Sequence, residues 1–424
     1  MPSAYFPERG PKDYRITQYD LTLDYRVGPN RLSATAVLTC AADTPLARLV
    51  LDFGTFRIGK VLVDGKPARF THRAEKLRIT PARPVSGRFT VEVRYNGNPK
   101  PITGPFGELG WEQLTDGVLV ASQPTGAPSW FPCDDRPSAK APVRFTITTN
   151  ADYEVLANGE LRSRQRSGST ATWVYEQHEP MAPYLAAVQI GRYSSTRLPG
   201  GVVLHPARLA GRVAHDFGRQ AQMFDTFVRC FGPYPFTTYS VVVADDELEI
   251  PVEAQGMSTF GTNHVDGHRG NERLIAHELA HNWFGNSLTA GTWQDIWLHE
   301  GFACYAEWLW WESCDEGTAD EHARRWHRKL AGAARPFPLG DPGERHIFDD
   351  EVYKRGALTL HALRLLLGDT SFFAMLRDWT STYRHGVVST AAFTDFAAWH
   401  SGRSLDAFFT TWLADRHLPA LAPA

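Results

Sequence analysis

The chain has 424 residues with a formal net charge of −3, and 43% of its residues are hydrophobic. Because single hydrophobic cores stop growing at roughly 250–300 residues, this length predicts two or three domains. The net charge gives no indication of a basic surface for nucleic acid. The sequence also contains no run of about 18 apolar residues, the length needed to span a membrane, so neither nucleic acid nor a membrane is an expected partner.

The cysteines and the N-terminal sequence indicate a reducing compartment. The first residues lack the basic stretch followed by an apolar stretch that marks a secretory signal. The cysteines are odd in number and widely spaced, and no two of them form a CxxC pair. A disulfide framework is therefore not expected, and the interpretation is a cytoplasmic protein.

Residues 1–200 have the pattern of an all-β domain. Short runs rich in β-branched and aromatic residues alternate with turn signals such as Asn158-Gly159. Antiparallel strands joined by tight turns produce this spacing, so we expect a β-sandwich or a saddle-shaped sheet. The clearest runs lie at 16–27, 88–95, 143–149 and 171–177.

Residues 201–424 change to a helical period. The stretch 211–232 is predicted to be one helix that ends before the Gly-Pro pair at 232–233, and a strand is predicted at 239–246. Helical patterns dominate after residue 270. The expected fold is therefore α+β and multidomain, with the boundary between the β domain and the mainly helical domain near residues 195–210.

A metal-binding pattern lies in the helical part at 277–281, which reads HELAH. Positions i and i+4 of a helix lie on one face, so the imidazoles of His277 and His281 can bind one metal ion. Glu278 lies one step around the helix, from where it can reach a water molecule beside that metal and act as general base. A catalytic zinc ion needs one more protein ligand.

Glu300 is the candidate third ligand. Eighteen residues separate it from His281, and its surroundings, WLHEGFACYAEW, have a helical pattern. A carboxylate presented from a second helix completes a His2Glu set, which is a known catalytic zinc set. Glu307 follows two helical turns later on the same face, where it could accept the free ring N–H of a histidine ligand and fix its tautomer. An exposed helix glutamate is the alternative for Glu307.

HELAHNWFGN followed by WQDIWLHEGFACYAEW resembles the gluzincin aminopeptidase family, which includes aminopeptidase N and leukotriene hydrolase. The resemblance continues in TQYDLTLDY, FGPYPFTTYSVVV and SLDAFFTTWL, so it covers nearly the whole chain. It implies an N-terminal β domain at 1–200, a thermolysin-like zinc peptidase domain at 201–424 and one Zn²⁺ per chain. His299 departs from the family, whose members carry a NEGF-like sequence around the glutamate.

The resemblance also implies a set of substrate-binding residues. IPVEAQGM is similar to the family's amine-binding motif, in which Glu253 would bind the free α-amine of a peptide and Gly256 would lie beside the substrate. QPTGAPSWFPCDDRP places Gln123 where many members have a second amine-binding glutamate. VYKRG is similar to the family's YEKG, whose tyrosine, here Tyr353, stabilises the transition state.

Together these residues predict a zinc-dependent aminopeptidase that hydrolyses the N-terminal peptide bond through a water activated by the zinc. The expected partners are peptides with a free N-terminus. One alternative is a thermolysin-like metalloendopeptidase, for which Glu253 would have no use. The others are a protease that trims the leader of a precursor peptide, a binding module that has lost the metal, and an epoxide hydrolase. Phe348 disfavours the last, because leukotriene hydrolase has a tyrosine there.

The C-terminal sequence bears on how the site is covered. Many members of the family continue into a helical C-terminal domain that covers the site. Here LADRHLPALAPA follows directly on the segment that resembles the end of the catalytic domain. We therefore expect an open cleft, or a cleft covered by self-association or by another partner.

Overall fold

Strands fill the first part of the chain. The structure, a computed structural model, describes residues 5–11, 13–198, 201–332 and 337–422. The strands of the first part are β1 (Arg15–Arg26), β2 (Arg31–Leu46), β3 (Leu49–Asp52), β4 (Arg57–Val63), β5 (Lys66–Pro67), β6 (Arg69–Arg73), β7 (Lys76–Thr80), β8 (Val85–Gly97), β9 (Ile102–Gly104), β10 (Gly107–Leu114), β11 (Gly117–Ala121), β12 (Ala141–Asn150), β13 (Glu154–Ala157), β14 (Glu160–Ser167), β15 (Thr170–Met181) and β16 (Val188–Gly191).

These strands form three sheets within the described residues. The largest has the order β14-β15-β12-β1-β2-β8-β4-β5, the second β13-β16-β11-β10-β9 and the third β3-β7-β6. Strand β1 pairs antiparallel with β2 and parallel with β12, so that Tyr19 lies between Leu38 and Val143. The expected all-β organisation of this region is confirmed.

Alternating apolar residues explain how the sheets pack. In β1, Tyr19, Leu21, Leu23 and Tyr25 occupy every second position and are at most 1% exposed. Successive side chains of a strand point to opposite faces, so this spacing buries one face of the large sheet. The ring of Tyr25 meets the ring of Trp111 from β10, with 5.0 Å between their centroids. The core of this region therefore lies between the large sheet and the second sheet.

Helices dominate the second part of the chain. Its strands are β17 (Ser194–Leu198), β18 (Gly201–His205), β19 (Ser240–Val243), β20 (Val252–Ala254), β21 (Met257–Phe260), β22 (Thr289–Ala290) and β23 (Val387–Val388). Its α-helices are α1 (Ala210–Asp216), α2 (Gln220–Phe231), α3 (Glu272–Ala280), α4 (Trp297–Ser313), α5 (Ala319–Ala331), α6 (Asp350–Leu367), α7 (Asp369–Thr382), α8 (Thr390–Ser401) and α9 (Asp406–Phe409). Among the described residues, none of the helices is both long and apolar enough to cross a membrane.

One five-stranded sheet belongs to this second part. Its order is β17-β18-β19-β21-β20, which leaves β20 at an edge. Strand β17 pairs with β18, and β18 pairs with β19, so Ser194–Leu198 lies in the sheet of the second part although it precedes residue 200. We therefore propose a domain boundary at 192–193, slightly before the boundary predicted from the sequence.

The predicted helix at 211–232 is wrong as a single element, because the structure divides it into α1 and α2. Gly218 lies in the turn between them, and a Cβ atom there would come within 2.8 Å of the carbonyl oxygen of Ala214. Because glycine has no Cβ atom, the chain can turn sharply at Gly218, and the hydrophobic pattern of a helix does not indicate such a turn.

Candidate active site

Two histidines and a glutamate converge between α3 and α4. Helix α3 ends at Ala280, but the N–H of His281 still donates to the carbonyl of His277, so the two imidazoles remain one turn apart. Glu300 Oε2 lies 3.5 Å from His277 Nε2 and 3.4 Å from His281 Nε2. All three residues are buried. The structure therefore brings together the three ligands expected from the sequence.

These spacings suit a zinc ion. Zinc–nitrogen and zinc–oxygen bonds of about 2.0–2.1 Å place two ligand atoms of a tetrahedron about 3.4 Å apart. The measured separations of 3.5 and 3.4 Å match that edge. Within the described residues, His277, His281 and Glu300 form one of two groups whose ligand atoms lie within 4.8 Å of one another. The donor set fits a three-ligand catalytic zinc with one position open.

The other ring nitrogens are both occupied, which orients the imidazoles. His277 Nδ1 lies 2.8 Å from Glu307 Oε1, and His281 Nδ1 lies 3.0 Å from the carbonyl oxygen of Phe284. Because a carboxylate and a carbonyl only accept, each Nδ1 donates a proton away from Glu300, which leaves each Nε2 facing Glu300 as the atom that would bind a metal ion. Glu307 thus lies where the sequence predicted a partner for a histidine ligand.

Glu278 has the surroundings of a general base. Its side chain is 4% exposed, and its Oε2 has no hydrogen-bond partner among the described residues. Burial raises the pKa of Glu278 to about 7, although the two histidines act in the opposite direction. A carboxylate with a pKa near neutrality can both take up and release a proton during turnover.

Glu253 and Gln123 form a polar pair beside the histidines. Glu253 lies in the edge strand β20, whereas Gln123 comes from the first part of the chain. The side-chain amide of Gln123 donates to Glu253 Oε1 at 2.6 Å. Ligand atoms of Glu253, Glu278 and His281 lie within 4.8 Å of one another. The two parts of the chain therefore contribute jointly to the site.

Gly256 forms the turn between β20 and β21 rather than facing the cleft with free backbone groups. Its φ angle is 70°, a conformation that favours glycine. Its N–H donates to Asn282 Oδ1, and its carbonyl oxygen accepts from the N–H of Ser240. Both backbone polar groups of Gly256 thus already have partners within the protein. The substrate contact expected of Gly256 stays a prediction.

Two asparagines that follow the histidines were not singled out from the sequence. Asn282 Oδ1 accepts from Gly256, and Asn286 Nδ2 donates to the carbonyl oxygen of Ala254 at 3.0 Å. Asn286 therefore ties the end of the α3 segment to the strand that carries Glu253, and Asn282 ties it to the turn that follows this strand. Their position in the HELAHNWFGN stretch was the available signal, because polar residues beside a metal-binding helix need buried partners.

Tyr353 reaches the site because α4 and α6 cross very closely. A Cβ atom built on Gly356 would lie 2.7 Å from the Cα of Gly301, so only glycines permit this approach. The ring of Tyr353 stacks on that of His277, with 6.0 Å between centroids. Tyr353 is partly buried, and this burial, reinforced by the carboxylate of Glu300, raises the pKa of its phenol well above the usual value. The phenol therefore keeps its proton at neutral pH and can donate a hydrogen bond.

His299 lies outside the ligand set, as expected from its place before Glu300. Its Nε2 accepts from the N–H of Ala290 at 2.7 Å, and burial lowers its pKa to about 3. The imidazole is neutral and holds β22 against α4.

The site as a whole carries an excess of negative charge. Four glutamates lie within it, each at most 8% exposed: Glu253, Glu278, Glu300 and Glu307. Burial opposes the protonation of His281, but the carboxylates of Glu253 and Glu300 outweigh it and raise its pKa to about 10. Buried carboxylates need cationic partners, so the site attracts positive charge.

These features agree with the known proteins that the chain resembles. Residues 16–185 match the peptidase M1 N-terminal domain, and residues 216–412 match the peptidase family M1 domain. An M1 zinc metallopeptidase from Deinococcus radiodurans shares 30% sequence identity, with a TM-score of 0.89 over 100% of this chain and 99% of that one. The chain belongs to peptidase family M1.

Two further matches are a second structure of the same Deinococcus radiodurans enzyme and a curated aminopeptidase. A mutant of the Deinococcus radiodurans M1 zinc metallopeptidase bound to a Tyr-Ser-Ala substrate shares 30% identity, with a TM-score of 0.87 over 100% of this chain and 99% of that one. Leucyl aminopeptidase of Saccharolobus solfataricus is 22% identical over 84% of this chain and 48% of its own length. The chain spans about half the length of the curated relatives that it matches. The expected family, two-part fold and zinc cofactor are confirmed.

Proposed function

We propose that this M1 chain is a zinc-dependent aminopeptidase that removes residues from the free N-terminus of peptides. The observation that carries the proposal is Glu253, a buried carboxylate placed beside the three metal ligands. An α-amine lies only two bonds from the carbonyl of the first peptide bond. A group that binds the amine within a few ångströms of the metal therefore aligns that bond, and no later one, for hydrolysis.

Charge supports this assignment of Glu253. The Oε1 atom of Glu253 already accepts a hydrogen bond from Gln123, and a carboxylate has further lone pairs that can accept from an ammonium group. Burial, together with the like charge of Glu300, raises the pKa of Glu253 above its usual range. A bound ammonium group would relieve this repulsion, whereas the backbone of an internal peptide segment would not.

The remaining residues divide the chemistry between them. A zinc ion held by His277, His281 and Glu300 would polarise the scissile carbonyl and lower the pKa of a water molecule at its open position to about 7. Glu278 takes the proton of the attacking water and passes it to the departing amine. Tyr353 donates a hydrogen bond to the carbonyl oxygen as negative charge develops on it.

A pair of peptides tests the exopeptidase assignment. Tyr-Ser-Ala and its N-acetylated form differ at the N-terminus alone, where acetylation removes the positive charge and adds a small acyl group. We expect release of tyrosine from the free peptide and at least about a 100-fold lower kcat/KM for the acetylated one, because the buried carboxylate loses its charged partner. Chelator-treated protein should be inactive and recover with one equivalent of Zn²⁺. Comparable cleavage of both peptides would favour the endopeptidase alternative.

A mixture of unrelated short peptides tests the breadth of the activity. Sequential removal of N-terminal residues from many of them would support general peptide turnover. Cleavage confined to one extended precursor would favour the leader-trimming alternative. Mass spectrometry of the products over time separates the two.

We also propose a reducing cytoplasmic location. The location is supported by the cysteines, all of which are free: Cys40, Cys133, Cys230, Cys304 and Cys314. Cover of the cleft by a second copy stays a prediction from the sequence, and the mass of the protein in solution tests it.

A further inference from the structure

A buried lysine faces the glutamate that supports His277. Glu307 uses Oε1 to accept from His277 Nδ1, and its Oε2 faces two cations. Lys354 Nζ lies 3.9 Å from Oε2, and Arg273 Nη1 lies 3.5 Å from it. The two cations differ in exposure, since the Arg273 side chain is 50% exposed and that of Lys354 is 9% exposed. Solvent screens the first pair, so Lys354 is the stronger influence on Glu307.

The surroundings of Lys354 leave Glu307 as its charged partner. Its Nζ also donates to Cys304 Sγ at 3.1 Å and lies 4.8 Å from the centre of the Trp326 ring. A thiol is a weak acceptor and an aromatic face a modest one. A buried ammonium group is costly unless an anion compensates it, and Glu307 is the nearest carboxylate described.

Lys354 also connects the two catalytic elements. It follows Tyr353 directly in α6, while Glu307 lies in α4 together with the ligand Glu300. The close crossing of α4 and α6 thus places the cation of Lys354 on one helix beside the carboxylate of Glu307 on the other. A shift of α6 would move the tyrosine and withdraw the charge from Glu307 at the same time.

We propose that Lys354 is a positioning residue for the metal site. It holds the Glu307 carboxylate with Oε1 toward His277, so that the His277 ring presents Nε2 at the angle required for zinc. The inference rests on the proposed zinc site. Among the described residues, no hydrogen bond or ion pair joins Lys354 to His277, His281 or Glu300, so we infer that its effect reaches the ion through Glu307.

Zinc affinity, measured by competition with a chromogenic chelator, tests this role on the full chain. Lys354→Met removes the charge but keeps most of the stem, and we expect about a ten-fold weaker zinc affinity, as for other partners of metal-bound histidines. Lys354→Arg, which keeps the charge, should recover most of the affinity. Lys329→Met is the matched control, because Lys329 lies 4.3 Å from the same Trp326 ring but is exposed.

A double variant decides whether the effect passes through Glu307. In a Glu307→Gln background, Lys354→Met should change zinc affinity less than about two-fold, because the carboxylate that it positions is gone. An equal loss in both backgrounds, or no loss in either, would overturn the proposal. The visible spectrum of the cobalt(II)-substituted protein should change with Lys354→Met and not with Lys329→Met, which reports on ligand geometry independently of activity.

Two further outcomes distinguish a failure of the Lys354 proposal from a failure of the proposed zinc site. Should Lys354→Met fail to fold, folding of the double variant with Glu307→Gln would support the pairing, and its failure to fold would overturn it. Wild-type protein that binds no zinc, or a His277→Ala variant that binds it normally, would contradict the proposed metal site itself. Normal zinc binding by wild type and by Lys354→Met contradicts only the role of Lys354.

Discussion

The two sides of the candidate site differ in how far the protein satisfies its own polar groups. On the metal side (His277, His281, Glu300 and Glu307), both Nδ1 atoms have acceptors and the Nε2 atoms converge on one carboxylate oxygen. On the amine side (Gln123, Glu253 and Glu278), two buried carboxylates face one another, and Glu278 Oε2 has no partner among the described residues.

This difference assigns separate tasks to the two sides. The metal side is oriented by the protein alone, so a cation can bind there with little rearrangement. The amine side stores unfavourable electrostatic energy that a cationic substrate group and a transferable proton can relieve. Substitutions on the amine side should therefore change turnover or substrate binding without removing zinc.

The largest effect is expected from Glu278→Gln, which tests whether the two sides have separate tasks. Glu278→Gln keeps the size of the side chain but cannot accept a proton, so kcat should fall about 10²–10⁴-fold. Zinc content should stay at one ion per chain, measured by atomic emission. A variant with near-normal kcat, or one that lost its zinc, would break the division into two sides.

Tyr353→Phe should have the next largest effect. Without the phenol the carbonyl oxygen loses a donor that is needed mainly in the transition state, and oxyanion donors of this kind contribute about 2.7–4 kcal/mol. We expect kcat to fall about 10²–10³-fold with KM little changed, measured by steady-state kinetics on Tyr-Ser-Ala. An increase in KM alone would instead place Tyr353 among the substrate-binding groups.

A smaller effect is expected from Glu253→Gln. The neutral amide keeps a hydrogen bond to the α-amine but loses the charge, and hydrogen bonds to charged groups contribute about 1.5–3 kcal/mol. KM for free peptides should rise about 10–100-fold, and the preference over acetylated peptides should shrink. Gln123→Ala is the matched comparison and should raise KM less, because Gln123 acts by orienting Glu253. The reverse order would contradict the assignment of Glu253.

The smallest effect concerns the support of the metal side by Lys140. Lys140 Nζ donates to the carbonyl oxygens of Asn286, Ser287 and Gly386, at 2.9, 2.7 and 3.3 Å, which holds the loop that follows His281. Burial lowers the pKa of Lys140 to about 7. An unfolded chain, with a lysine pKa of about 10.4, binds more protons between these values, so this contribution to stability rises as the pH rises from 7 to 10.

Melting temperatures of wild type and Lys140→Met over that pH range test this sign. Between pH 7 and pH 8 the difference should move in favour of wild type by about 2–4 °C, which corresponds to about 1 kcal/mol in domains of this size, and it should keep growing toward pH 10. Lys100→Met, at an exposed position, is the control and should show no such trend. A difference independent of pH would mean that Lys140 titrates as an ordinary lysine.

Local periodicity along the chain was enough to predict many of the strands and helices and the metal side of the site. The run at 16–27, rich in β-branched and aromatic residues, predicted a strand, and the structure buries every second residue of it, including Tyr19, Leu21 and Leu23, because the side-chain period of a strand is two. The HELAH spacing predicted two imidazoles on one helix face because a helix turns in 3.6 residues. The predicted helix at 211–232 was wrong because a turn at Gly218 depends on the approach of one carbonyl group, which a hydrophobic pattern does not record.

The sequence by itself determined which side chains could bind zinc and where their helix lay. Only the tertiary structure decided which partners surround them. Gln123 and Glu253 are 130 residues apart in the chain, and Tyr353 reaches His277 because Gly301 and Gly356 let two helices cross closely. Helix and strand periods arise from neighbouring residues, whereas such contacts exist only after the two parts of the chain have packed together.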